Sequence, residues 1–371
     1  MSQAMIHLSG PDITQAEIDA VVAVMRTPQL SLGPRVPEFE QCFMDRLGIK
    51  HAVACNSGTS GLHLIWHSMG VRNGDEVVTT PFSFIASSNS VMFEGGKPIF
   101  VDIEADTWQI DPKRIEAAIT PRTKALLPVD VFGSIPDMDA VLAIARKHNL
   151  RVVEDCCEAL GSTYKGKPAG TLADAGVFGF YPNKQITTGE GGMVVTNDDK
   201  LAFIARSARS QGRDPEAGWL QHARLGFNYR LPDINCAIGI VQMKRCDEIL
   251  AKRAQVASWY QQRWAGDSRI SMQRIPSEVK MSWFVMVVRL ADNYSQAHRD
   301  MMLKRLNERG IGCRDYFTPI HLQPFYQDMG YRQGQFPITE ALSSRTISLP
   351  FHNGLSEGDV DRVVKEFKSL L

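Results

Sequence analysis

Apolar residues recur at helical spacing over residues 15–25 and 37–47, and the pattern then changes to short apolar runs separated by helical stretches. The runs fall at 52–55, 76–80, 98–103, 125–132, 151–157, 176–180 and 193–196. Between them, residues 60–69, 112–119 and 138–149 place apolar side chains every three or four positions, the stripe of a helix packed on a core. Such alternation predicts an α/β fold, a mostly parallel sheet with helices on both faces. From residue 235 one long helical pattern runs to about 264, and the character changes near 268. A strand at 283–290, a helix at 295–309, a strand at 312–316 and a last helix after an N-capping Ser356 are expected there. The predicted organisation is a large α/β domain over 1–240, a connecting helix over 241–267 and a small α+β domain over 268–371. The proline-containing loop at 316–324 is expected to return toward the site.

Composition narrows the function classes. Lysine plus arginine and aspartate plus glutamate both count 41, with no long block of either sign, so nothing favours nucleic acid or an anionic membrane. No apolar run approaches the roughly 18 residues needed to span a bilayer, and the N-terminus shows no basic-then-apolar leader, so a cytoplasmic location is expected. Seven cysteines without a C-x-x-C pair argue against a disulfide framework and a zinc site, and no metal is expected. Cys156 and Cys157 are read as small core residues.

Four segments carry candidate chemistry. Asn56-Ser57-Gly58-Thr59-Ser60 follows a strand and opens a helix, where backbone amides and hydroxyls favour a phosphate; it also suits a plain helix cap. Thr79-Thr80-Pro81-Phe82-Ser83-Phe84 follows the next strand, where open α/β sheets place ligands, and Pro81 predicts a turn sending one ring to the site and the other into the core. Asp155 closes an apolar strand, an expensive place for an unpaired carboxylate, with Glu158 about one turn further on. Lys184 lies 29 residues after Asp155, in a loop between Pro182 and a glycine-rich run that re-enters a strand. A lysine amine and a buried carboxylate are what pyridoxal 5'-phosphate (PLP) chemistry needs, the amine to bind the cofactor aldehyde and the carboxylate to hold the ring nitrogen protonated.

Taken together, these segments resemble the DegT/DnrJ/StrS family of sugar aminotransferases. The likeness runs from L-S-L-G-P-R-V-P-E-F-E at 30–40 through N-S-G-T-S, P-F-S-F-I-A-S-S-N, E-D-C-C-E-A-L-G and N-K-Q-I-T-T-G-E-G-G-M-V-V-T-N. It resumes at L-G-F-N-Y-R-L-P-D-I-N-C-A-I-G (225–239), P-I-H-L-Q-P (319–324) and F-P-I-T-E (336–340). The resemblance implies the aspartate aminotransferase-like fold type I, with Lys184 as the lysine bonded to PLP and Asp155 as the partner of the pyridine nitrogen. It implies Phe84 stacked on the cofactor, Glu158 beside it, Gly58 and Thr59 on its phosphate, and Asn228 reaching the phosphate of the neighbouring subunit in a homodimer. Arg230 and His321, each in a family-like loop, are taken as substrate contacts. Two departures stand out: Gly179 replaces a common serine five residues before the lysine, and D-V-F-G at 130–133 replaces H-x-Y-G. Glutamate at 158 with K-Q-I-T-T-G-E-G-G resembles the GDP-perosamine synthase branch. The implied reaction passes an amino group from L-glutamate to a nucleotide-linked 4-keto-6-deoxyhexose, for polysaccharide or glycoconjugate biosynthesis. A 3-keto sugar or a keto-cyclitol is the alternative acceptor. An intact lysine disfavours the family's dehydrases, which carry histidine there, and a non-catalytic regulator would not need the lysine, aspartate and phosphate turn. A nicotinamide enzyme lacks its G-x-G-x-x-G.

Overall fold

The computed structural model describes residues 4–214, 218 and 221–371; the first three residues of the N-terminal stretch read for a leader lie outside it. In chain order the strands are β1 (His51–Cys55), β2 (Glu76–Thr79), β3 (Lys97–Phe100), β4 (Thr123–Leu126) and β5 (Arg151–Asp155). The short β6 (Thr163–Tyr164) and β7 (Lys167–Pro168) follow, then β8 (Ala175–Gly179), β9 (Gly192–Thr196), β10 (Ile270–Ser271), β11 (Val279–Lys280), β12 (Met286–Leu290) and β13 (Thr346–Leu349).

Seven strands form one sheet in the order β1-β9-β8-β5-β4-β2-β3. Only β9 runs antiparallel to its neighbours; β2 with β3, β2 with β4, β4 with β5 and β5 with β8 are parallel. The expected mostly parallel α/β sheet is therefore present. Its runs read as continuous apolar stretches because both faces are buried. Ala52, Ala54, Leu126 and Val152 enter a core with Phe39, Phe43, Phe178 and Phe180. Their alternate neighbours Val53, Cys55, Ala125 and Val153 enter another with Leu62, Ile65 and Trp66. One-residue alternation thus feeds two cores from each strand.

A second sheet, β10-β12-β13, is antiparallel and packs with helices Gln296–Glu308 and Glu357–Lys368 around Trp264, Met302, Leu306, Val360 and Phe367. Ser356 caps the last helix, as expected, in a capping box with Asp359. The linear order is crossed twice. Ile6 joins this second core beside Ile311, and β11 pairs with β6 in a sheet with β7.

Two expectations are corrected. The single helix over 235–264 is two, Asp233–Lys244 and Cys246–Trp264, broken at Arg245, whose guanidinium is held by Asp12 and Glu17 at 2.8 Å each. The strand at 312–316 does not form: Gly312 N–H donates to Ile6 and Arg314 pairs alone with Ser348, so no continuous ladder develops. No helix among the described residues is long and apolar enough to cross a membrane.

Candidate active site

Parallel strands deliver their carboxyl ends to one edge of the sheet, and the turns after β1, β2, β5 and β8 meet there around a cavity of about 740 Å³. Gly58, Thr59, Phe84, Asp155, Glu158 and Lys184 all line it.

Asp155 is the last residue of β5 and is almost fully buried. Its Oδ2 accepts from Ser87 Oγ at 2.7 Å and its Oδ1 from the Cys157 amide at 3.2 Å. Ser87 in turn pairs with Ser83 at 2.8 Å. The carboxylate is therefore fixed in direction by the helix Ala86–Met92, which the sequence reading had not foreseen.

Lys184 sits in the loop after β8, its N–H turned back onto the Tyr181 carbonyl. Its Nζ lies 3.5 Å from Glu158 Oε1 and 4.1 Å from the centre of the Phe284 ring. Arg253, buried in the helix Cys246–Trp264, grips the loop by donating to the carbonyls of Asn183 (3.0 Å) and Lys184 (2.8 Å). Burial pulls that guanidinium down to about 10. Gln185 Nε2 adds a 2.6 Å bond to the Glu158 carbonyl, tying the lysine loop to the acid's backbone. Burial pushes the Glu158 carboxyl up, against the opposite pull of Lys184 and a 2.9 Å bond from the Phe132 amide. The amine and the carboxyl group thus face each other across 3.5 Å inside the cavity.

At the rim, Ser57 caps the helix Gly58–Met69 by accepting from Ser60 N–H. The first amides of that helix lack intrahelical acceptors and point out of its positive end. Glycine is required at 58 because a Cβ there would meet Cys157 Sγ at 2.7 Å. The turn at Pro81 separates the two rings as expected: Phe82 is fully buried, whereas Phe84 is 60% exposed at the cavity. Gly179 lines the cavity without a side chain, beside Gly58 and Cys157.

Three candidates lie away from this chain's own cavity. Asn228 is exposed on a segment bridged to Ser210, its carbonyl 3.5 Å from Asn56 Nδ2. Arg230 binds Gln211 Oε1 at 2.5 Å, and burial with the nearby Arg213 and Arg209 holds it below the usual guanidinium range. His321 is fully buried, paired with Glu340 at 3.0 Å and packed on Phe336. Burial lowers it below the usual imidazole range, against the pull of Glu340. The loop at 316–324 returns toward the site as expected, bringing Tyr316 to the cavity, whereas Tyr181, which also lines it, had no signal in the sequence.

The DegT/DnrJ/EryC1/StrS aminotransferase family matches residues 11–368. GDP-perosamine synthase of Caulobacter vibrioides is 42% identical over 368 residues, covering 99% of this chain and 98% of that protein. Spr1654 of Streptococcus pneumoniae, solved in its PLP form, superposes with a TM-score of 0.94 at 29% identity over 99% of this chain and 98% of that one. Helicobacter pylori PseC, an aminotransferase of pseudoaminic acid biosynthesis, gives 0.93 at 30% over 99% of both chains. The chain with Lys184 and Asp155 at one cavity belongs to the DegT/DnrJ/EryC1/StrS family of PLP-dependent sugar aminotransferases.

Proposed function

We propose that this enzyme moves an amino group from L-glutamate to the keto carbon of a nucleotide-linked 4-keto-6-deoxyhexose, working as a homodimer with shared sites. The observation that carries the assignment of residues is that the Lys184 amine and the Asp155 carboxylate open into one cavity, with the start of the helix Gly58–Met69 at its rim. The donor set fits PLP: an amine for its aldehyde, an acid for its ring nitrogen and helix amides for its phosphate. When bound, PLP supplies an electrophilic carbon and a ring that accepts electrons.

Each residue then has a distinct task. Lys184 Nζ holds the cofactor and, once released, carries the proton that must leave one carbon and arrive at another. Glu158 Oε1, 3.5 Å away, is placed to take that proton from the amine and return it. Asp155, aimed by Ser87, keeps a proton on the ring nitrogen. Gly58 and Thr59 would bind the phosphate and Phe84 would stack on the ring, all three lining the cavity. With Gly179 supplying no hydroxyl, phosphate contacts shift to the helix amides and to the partner subunit's Asn228.

Exposed apolar side chains support the dimer: Phe84 and Tyr181 at the cavity, Phe93 and Leu225 beyond it, are each more than half exposed in the single chain. The name of the Caulobacter relative supports a GDP-linked acceptor, and so does glutamate at 158. Adding L-glutamate to the PLP-loaded protein should convert its visible absorbance to that of the aminated cofactor. A panel of GDP-, UDP- and dTDP-linked 4-keto and 3-keto sugars should then show amination of the GDP-linked 4-keto sugar first. Inactivity across that panel would sink the nucleotide-sugar assignment and favour free keto-cyclitols.

A further inference from the structure

Directly behind Asp155 the sheet buries two carboxyl groups that the reaction does not use. The Asp130 amide donates to the Asp155 carbonyl and the Asp155 amide to the Pro128 carbonyl, each at 3.0 Å, which pairs Val129 with Asp155. Alternation along these strands turns Val129 and Asp155 toward the cavity, which both line, and turns Asp130, Glu154 and Cys156 to the other face. There Asp130 and Glu154 are wholly buried, and an oxygen of each lies within 4.8 Å of the other and of Cys156 Sγ. Glu154 accepts from the Gly170 amide at 2.6 Å and the Leu172 amide at 3.3 Å. Neither oxygen of Asp130 accepts a hydrogen bond from any described residue.

A buried carboxylate with no donor is expensive, and two ionised carboxylates side by side are more so. The titratable groups that act on Asp130 are Glu154 and Cys156 on its own face and Asp155 from the other side of the sheet, all acids. A metal would need the Cys156 thiolate, yet burial and the surrounding acids push that thiol far up. A carboxyl that finds no donor satisfies itself by being one. Burial and Glu154 raise the Asp130 acid well above its ordinary range, in keeping with that arrangement.

We propose that Asp130 is a positioning residue for Asp155: Asp130 and Glu154 share one proton, donated from Asp130 to the Glu154 carboxylate, so that a single negative charge rather than two lies behind Asp155. Asp155 is thereby spared a second like charge through the sheet. The role rests on reading Asp155 as the partner of the cofactor ring, whereas the shared proton does not.

Infrared spectroscopy of the apoenzyme carrying carbon-13 aspartate separates the two. At pH 8, where Glu154, lifted to about 7, is ionised, the wild type should show one protonated-carboxyl C=O band that shifts with the label and vanishes in Asp130→Asn. Glu154→Gln, which offers Asp130 an amide donor, should remove the band as well. No such band in the wild type, a band surviving Asp130→Asn, or one equivalent of bound metal lost in that variant would each overturn the shared proton. In the holoenzyme, the glutamate half-reaction of the wild type should slow as pH rises through the titration point of the pair, where a second negative charge appears behind Asp155. The alkaline-to-neutral ratio in Asp130→Asn should stay flat. A fall that persists in Asp130→Asn would overturn the positioning role even with the infrared band in place, and a chain that shows the band but binds no PLP would overturn only the Asp155 reading.

Discussion

At the scale of single residues, the site contrasts two buried acids with different neighbours. Glu158 has the Lys184 amine at 3.5 Å, whereas Glu154 has two backbone amides and another acid. Burial dominates at Glu154 and lifts it from an ordinary 4.5 to about 7. Since the folded state holds this proton more tightly than the unfolded chain, the associated stability is complete below pH 4.5 and is lost as pH rises through 7. Urea unfolding of the apoenzyme should therefore show the wild type losing up to about 3 kcal/mol more than Glu154→Gln between pH 4.5 and pH 8. Equal slopes for the two proteins would mean that Glu154 does not titrate in this window. Asp155 and Lys184 were legible in the sequence because a carboxylate ending an apolar strand and a lysine in a glycine-rich loop are both out of place without a partner. Ser87, which aims the carboxylate, and Arg253, which grips the lysine loop, were not. A serine in a short helix and an arginine in a long one look solvated until the fold turns them inward.

Elements set the approach of the phosphate turn to the rest of the site. The turn after β1 lies against the end of β8, and Cys157 fills the space left by Gly58 and Gly179. Gly58→Ala would place a methyl 2.7 Å from Cys157 Sγ and displace the start of the helix. Titrating the apoenzyme with PLP should show affinity reduced about tenfold, the 1–2 kcal/mol expected for overpacking at one contact. Removing the sulfur should relieve the clash, so that Gly58→Ala with Cys157→Ala binds more tightly than Gly58→Ala alone; additive losses would locate the defect elsewhere. The sheet was readable at this scale because most of its strand residues are buried on both faces, which leaves apolar runs such as those at 52–55 and 193–195. Less readable were β6, β7 and β11, two residues each, and β13, whose four residues alternate too briefly to show a period. Arg245 is the instructive case. Its helical surroundings continue on both sides, and its guanidinium is held by the distant Asp12 and Glu17 as well as by the nearby Glu248.

The whole molecule leaves the motif at 226–230 without a use in its own cavity. G-F-N-Y-R is among the segments that carried the family resemblance, yet Asn228 is exposed and does not line this chain's site. Sequence alone could name such a residue but not say which copy it serves, because that depends on a contact between chains. If Asn228 completes the partner's phosphate site, the two defects Lys184→Ala and Asn228→Asp affect one site when they lie on different subunits. A mixed dimer of the two variants then holds one site with both defects and one with neither. Each variant by itself should be nearly inactive, Lys184→Ala for want of the amine and Asn228→Asp because a carboxylate faces the phosphate. Unfolding the two together and refolding the mixture should form mixed dimers in about half of the population, so about a quarter of all sites become intact. Recovery of activity toward that level after mixing, with none after refolding either variant by itself, is the expected outcome. Were Asn228 to serve its own chain, every site in the mixed dimer would carry one defect, and the mixture would stay as inactive as its components.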